Sequence, residues 1–140
     1  MATSPKILVI GLGGIGGVVS SYLLQSAFDV TGVTTNAQVL TKLKENGFQI
    51  ESHTGNSWQV RGRVFESIPS DEKFDFVLLA TQPTQAEEAA ISAFPYLSEH
   101  GALVCFQNGL LEEKLASKFG AQRVVGAVVA WGASSPKPGH

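Results

Sequence analysis

KILVIGLGGIGG, from Lys6 to Gly17, is the stretch from which the fold of this chain follows. The apolar run Ile7 to Ile10 leads directly into Gly11, Gly13 and Gly16. That G-x-G-x-x-G spacing lets a backbone turn sharply out of a buried strand and enter a helix beside a pyrophosphate. Gly11 makes the turn, Gly13 has no side chain to hold phosphates off the backbone, and Gly16 lets the helix lie close on the strand. The free N–H groups and the positive end of the helix dipole then face the anion.

Fifteen glycines in 140 residues make the spacing a weak signal by itself, so context decides. The run before it has strand length and β-branched residues. The segment after it, Ile15 to Ala27, sets Ile15, Val18, Val19, Tyr22 and Leu23 on one broad helical face. A dinucleotide site is therefore expected here. One competing reading is a glycine-rich strand–helix turn with no ligand. The other is a signal peptide or membrane span, since no charged residue lies between Lys6 and Asp29. Five glycines in seven positions, followed by Ser20, Ser21 and Gln25, argue against a membrane helix.

A length of 140 residues suits one domain with a full core. A hydrophobic fraction of 44% with 16% charged residues fits a soluble protein whose central strands are buried on both faces. The net charge of −2, without a basic block, points away from nucleic acid and from a charged membrane surface. The single cysteine, Cys105, excludes an internal disulfide and lies in the apolar run LVCF, as a buried small hydrophobe would. The cytoplasm is the default compartment. His53, His100 and His140 are scattered and form no metal-ligand pattern.

Strand and helix signals alternate along the chain. Strands are expected over Lys6–Ile10, Val30–Thr34, Phe74–Ala80, Ala102–Phe106 and Arg123–Val129. Helices are expected over Gly14–Ala27, Ala37–Asn46, Thr84–Pro95 and Leu110–Phe119. Phe48–Ser52 and Gln59–Phe65, joined by a turn-rich segment, read as a hairpin insertion. Gly132 to His140 reads as loop. Such alternation predicts a mainly parallel sheet covered by helices, with ligands bound at the carboxyl ends of the strands. The segments there are Gly11–Gly16, Thr34–Asn36, Thr81–Thr84, Gln107–Gly109 and Ala130–Gly132.

An NAD-selective site usually has an acid at the end of the second strand, accepting hydrogen bonds from the ribose hydroxyls. Here that place reads Val33-Thr34-Thr35-Asn36. An acid there would face the 2′-phosphate of NADP, and two like charges about 4 Å apart at an effective dielectric near 20 repel by roughly 4 kcal/mol. Thr34, Thr35 and Asn36 can instead donate hydrogen bonds to that phosphate. NADPH is favoured, although no arginine stands there to grip the phosphate.

Three segments together resemble the N-terminal domain of the ketopantoate reductase (2-dehydropantoate 2-reductase) family. They are Gly11-Leu12-Gly13-Gly14-Ile15-Gly16, then Ala80-Thr81-Gln82-Pro83-Thr84-Gln85 after FDFVLL, and Gln107-Asn108-Gly109 after ALVCF. Val129-Ala130-Trp131-Gly132-Ala133, with Pro138-Gly139-His140, is similar to the family's exit from its last cofactor-binding strand. The resemblance covers essentially the whole chain and implies a Rossmann-like, doubly wound α/β domain. It implies NADPH-dependent reduction of ketopantoate, or a related 2-keto acid, on the way to pantothenate and coenzyme A. Carried over residue by residue, Gly11, Leu12, Gly13, Gly14, Ile15 and Gly16 hold the pyrophosphate. From their place after the second strand, not by carry-over, Thr34, Thr35 and Asn36 face the adenosine end, and Gln82 can hydrogen-bond to a ribose. Asn108 touches the nicotinamide and the substrate, and Gly132 contacts the nicotinamide amide. A homodimer is left open for the full-length protein.

Two departures from the family's pattern bear on the substrate. Gln82 stands where the family usually has a lysine, and Thr34-Thr35-Asn36 where it often has an arginine. The family's general-acid lysine belongs to a second, helical domain beyond this one, so the chain is expected to be the cofactor-binding part of a two-domain enzyme, inactive alone. The alternative is a standalone dinucleotide-binding module with a sensing or partner-binding role and no catalysis.

Overall fold

The computed structural model describes residues 4–52, 54–107 and 109–127, with the backbone alone at 109 and 110. The apolar run ahead of the glycines forms β1 (Lys6–Ile10), followed by α1 (Gly14–Gln25), β2 (Asp29–Val33) and α2 (Ala37–Asn46). A small antiparallel pair follows, β3 (Phe48–Glu51) and β4 (Ser57–Val60), then β5 (Arg63–Phe65), β6 (Phe74–Leu79) and α3 (Pro83–Ala93). β7 (Leu97–Cys105), α4 (Gly109–Phe119) and β8 (Val124–Gly126) complete the described chain. Six strands form one parallel sheet in the order β5-β2-β1-β6-β7-β8. The order reverses beside β1, which makes this the doubly wound, Rossmann-like arrangement.

Alternation along the strands divides the core in two. Leu8, Val77, Leu79, Leu103 and Cys105 face one side, where Ala90 and Ala93 of α3 and Leu115 of α4 cover them. Ile7, Val9 and Leu78 face the other, against Val19 and Leu23 of α1 and Leu43 of α2. Leu8 and Val9 are both fully buried, which explains why β1 is apolar without alternation. Burial pushes the Cys105 thiol up to about 11, with the Glu112 carboxylate adding to the shift.

The element order follows the sequence expectation, with four differences. First, the expected hairpin arm Gln59–Phe65 is two strands. Its first part, β4, pairs antiparallel with β3, whereas Arg63–Phe65 pairs parallel with β2 and becomes the edge of the main sheet. The chain changes partner at Arg61-Gly62. A Cβ on Gly62 would sit 2.6 Å from Leu24 Cδ1, so this crossing lies tight against α1. The small pair also rests on α1, with the Trp58 indole N–H donating to Ser21 Oγ at 2.6 Å and its ring edge-on to Tyr22.

Second, α1 stops at Gln25 because Ala27 adopts φ +67°. The N–H groups of Ala27 and Phe28 then bond back to the carbonyls of Leu24 and Leu23, closing the helix end. Third, α3 stops before Pro95, which forms part of a single tight turn over Phe94–Tyr96. Fourth, β7 starts at Leu97 rather than Ala102 and runs through Gly101, with a register shift against β6 between Phe74 and Phe76. The tail from Gly132 lies outside the described residues.

Residues 66–73 return from β5 to β6 without a helix. Ile68 of this segment packs on the α3 side of the sheet. Its far end is held by Glu72, which pairs with Lys6 Nζ at 3.1 Å and with the Arg63 guanidinium. The hydrogen bonds from Arg63, more than the second pairing with Lys6, hold the Glu72 carboxyl below its ordinary value of 4.5. A depressed carboxyl stabilises the fold above its unfolded pKa and loses that contribution as pH falls through the folded value. Glu72→Gln should therefore destabilise the domain by about 1 kcal/mol at neutral pH. Thermal unfolding of parent and variant should differ most near pH 7 and converge as pH falls below the ordinary glutamate value. A difference that persists undiminished into acid would show that the pairs contribute nothing.

Candidate functional site

The glycine turn is shaped by close approach. Gly11 has φ +95°, and its N–H donates to the Val33 carbonyl at 3.0 Å. A Cβ there would fall 2.8 Å from the Ala80 carbonyl carbon and oxygen. A Cβ on Gly16 would overlap the Gly11 carbonyl oxygen and come 3.2 Å from Ala80 Cβ. The turn is thus wedged between the ends of β2 and β6, with the start of α1 lying directly on it. Gly13 is different. It is exposed, has φ −80°, and a Cβ there would meet nothing within 4 Å. Leu12 points the other way, into the core, and Gly32 of β2 leaves room for it: a Cβ on Gly32 would sit 2.9 Å from Leu12 Cδ1.

A cleft of about 870 Å³ opens at the carboxyl ends of β1, β2, β5 and β6. Of the residues expected from the sequence, Gly11, Gly13, Thr34, Thr35, Asn36 and Gln82 line it. Leu12, Gly14, Ile15 and Gly16 do not; they form the turn and the helix start behind the cleft wall. The first helical hydrogen bond of α1 runs from the Gly17 N–H to the Gly13 carbonyl, so the N–H groups before Gly17 have no intrahelical acceptor. Asn108 and Gly132 lie outside the described residues.

The loop after β2 is internally bonded. Thr34 Oγ1 accepts from the Asn36 N–H at 3.2 Å. Asn36 Oδ1 accepts from the N–H groups of Gln38 and Val39, capping α2. Thr34 is almost wholly buried, whereas Thr35 and Asn36 are exposed. The groups left to meet a ligand are the hydroxyl protons of Thr34 and Thr35 and the Asn36 side-chain N–H₂. At the other wall, Gln82 precedes α3, makes no capping bond to it, and is exposed to the cleft. Just behind, the Gln107 side-chain N–H₂ donates to the carbonyls of Leu79 and Thr81, at 3.0 and 2.8 Å. It thereby ties the end of β7 to the end of β6. Gln107 Oε1 and Thr81 Oγ1 are buried and have no hydrogen-bond partner among the described residues.

The sequence pattern does not point to the segment after β5, yet Glu66, Ser67 and Ile68 line the same cleft. A hairpin arm over Gln59–Phe65 hides them, because it removes β5 from the main sheet. The cue available was the short run Arg63-Val64-Phe65 after Gly62, with two strand-forming apolar residues, which is enough for an edge strand. Gln85 and Glu88 of α3 are also in the wall. Among the described residues, no lysine, arginine or histidine lines the cleft, while Glu66 and Glu88 do. A phosphate in this cleft is therefore met by backbone N–H groups and neutral side chains rather than by cations.

No described helix is long and apolar enough to cross a membrane. The family model described as "Ketopantoate reductase PanE/ApbA" matches residues 7–140. No curated protein sequence matches. Among solved structures, the chain is similar to a 2-dehydropantoate 2-reductase from Porphyromonas gingivalis W83, with 21% identity and a TM-score of 0.85 over 98% of this chain and 50% of that one. It is similar to a 2-dehydropantoate 2-reductase from Methylococcus capsulatus, with 24% identity and a TM-score of 0.80 over 96% and 44%. A D-mandelate dehydrogenase solved with NADH and anilino(oxo)acetate gives 23% identity and a TM-score of 0.82 over 96% and 43%. The chain thus spans half or less of the length of these structures.

The unequal surroundings of the glycines give a test. Gly13→Val should abolish dinucleotide binding in calorimetry and move the thermal midpoint by only a few degrees, because the added side chain enters open space. Gly16→Val should unfold the domain or destabilise it by about 3 kcal/mol, the upper range for overpacking. A Gly13 variant that binds as tightly as the parent would place the phosphates elsewhere.

Proposed function

This chain belongs to the ketopantoate reductase PanE/ApbA family, whose members are oxidoreductases, and from that we propose that it is the NADPH-binding domain of a reductase acting on ketopantoate or a related 2-keto acid. The observation that carries this reading is the single cleft joining Gly11 and Gly13 to Thr34–Asn36 on one side and Gln82 on the other. Its volume is in the range of cofactor sites. The open space at Gly13 fits a ligand there, and of the four buried side-chain polar atoms without a partner among the described residues, two, Thr81 Oγ1 and Gln107 Oε1, lie at the strand ends where such a ligand would bring polar groups.

When bound, the dinucleotide supplies a hydride for a ketone carbon. The chain's own residues bind and orient. The N–H groups at the start of α1 receive the pyrophosphate, with the helix dipole favouring its charge. Thr34, Thr35 and Asn36 donate to the adenosine 2′ position. No acid of β2 opposes a phosphate there, which is the basis for NADPH over NADH. Asn108, by resemblance, brings a carboxamide able both to donate and to accept to the nicotinamide end. Gln82 presents a neutral amide where the family usually has a lysine, so it can hydrogen-bond to a ribose or a carboxylate but cannot form an ion pair. This shifts the proposal from ketopantoate alone to the wider class of 2-keto acids. By resemblance, the proton for the new hydroxyl comes from the lysine of the family's helical domain.

The test is a pair of titrations with NADPH and NADH. The chain should bind both, NADPH more tightly by less than a hundredfold, because neutral donors meet the 2′-phosphate without a guanidinium. It should not turn over ketopantoate by itself. Thr34→Asp should reverse the preference, since its carboxylate can still accept from the Asn36 N–H while repelling the phosphate. Absence of binding to either nucleotide at millimolar concentration would defeat the functional reading, and tighter NADH binding by the parent would defeat the NADPH assignment.

A further inference from the structure

The end of β2 carries no acid, but the structure supplies one from the neighbouring strand. Val33 is in register with Phe65, and the Thr34 N–H donates to the Phe65 carbonyl at 3.1 Å. The next residue along β5 is Glu66, so it leaves the sheet beside Thr34, about one strand spacing of 4.8 Å away. Glu66 and the Thr34–Asn36 loop line the same cleft. Glu66 is exposed and makes no hydrogen bond or ion pair among the described residues, in contrast to Glu72 at the far end of the same segment. Its carboxylate is free to accept from a ribose diol. Among the described residues, no cation lines the cleft to neutralise it.

Resting on the dinucleotide reading above, we propose that Glu66 is a specificity-determining residue for the adenosine ribose. It accepts a hydrogen bond from the 2′-hydroxyl of NADH and repels the 2′-phosphate of NADPH. It thereby takes from β5 the role that an acid at the end of β2 plays in NAD-selective sites. The loop after β2 and Glu66 then act in opposite senses. The donors of Thr34–Asn36 favour the phosphate, Glu66 disfavours it, and the parent's NADPH preference stays small. Glu88 lines the same cleft from α3, which follows β6, and does not adjoin a strand paired with β2.

The experiment measures affinities of NADH and NADPH, and of ADP-ribose and its 2′-phosphate, for the parent, Glu66→Gln and Glu88→Gln. The two shorter probes isolate the adenosine end from the nicotinamide. Glu66→Gln should raise the NADPH-to-NADH affinity ratio about tenfold, equivalent to about 1.4 kcal/mol, and raise the ratio for the shorter pair equally. The gain should shrink with added salt, as an exposed charge interaction does. Glu88→Gln should leave the ratio within about twofold, and neither variant should move the thermal midpoint, since neither side chain has a partner among the described residues. If every probe binds but Glu66→Gln leaves the ratios unchanged, the role of Glu66 is overturned and the dinucleotide reading stands. If Glu88→Gln moves the ratios as far as Glu66→Gln, a diffuse charge effect replaces the specific one and the proposal falls. If none of the four probes binds the parent, the dinucleotide reading fails and the proposal fails with it.

Discussion

The close crossing of the Gly11 turn, the start of α1 and the end of β6 is the constraint on which the rest of the structure depends. A Cβ at Gly11 would sit 2.8 Å from the Ala80 carbonyl, and one at Gly16 would overlap Gly11 itself. Because three backbone segments meet so closely, α1 starts directly above the strand ends, with Gly13 at its head on the cleft and the N–H groups of its first turn just behind the wall. The same approach fixes β1 between β2 and β6. The point where the strand order reverses, and where a ligand can enter, follows from that placement. Gly13 stands apart from this constraint. It has room for a side chain and negative φ, so the fold alone does not demand a glycine there, whereas phosphates lying against the backbone would.

Much of this was legible in the chain. The glycine spacing, the doubly buried apolar runs and the glycines at 47 and 120 placed the central strands and the helices to within a few residues. The resemblance carried by Gly11–Gly16, Ala80–Gln85 and Gln107–Gly109 pointed to the family that the whole-chain match identifies. What failed was the segment from Gln59 to Phe65. Four residues of β4 and three of β5 are too short for periodicity to separate, and the partner change at Arg61-Gly62 is set by packing on Leu24 of α1, far away in sequence. That one error removed an edge strand from the sheet and, with it, Glu66 from the site.

The same lesson applies to electrostatics. Reading only the end of β2, the site lacks an acid and favours a phosphate. With β5 in place, the cleft has carboxylates at Glu66 and Glu88 and, among the described residues, no lining cation. Part of the hydrogen-bonding capacity of Thr34 and Asn36 is already used in shaping their loop and capping α2. On the proposed reading, selectivity at the adenosine end is a balance between a few remaining neutral donors and a nearby charge, while backbone N–H groups receive the pyrophosphate. Gln107, in turn, ties the end of β7 to the end of β6, which leads into Gln82, linking the other wall to the sheet.

The central claim is that the N–H groups at the start of α1 are the anion site of a nicotinamide dinucleotide. Backbone amide NMR of the ¹⁵N-labelled chain, followed during a titration with NADPH, tests it most directly. The account predicts that the largest shifts fall on Gly13, Gly14, Ile15 and Gly16, with a second group on Thr34, Thr35 and Asn36. Shifts confined to other surfaces, such as the β3–β4 pair, or no shifts at saturating nucleotide, would contradict it.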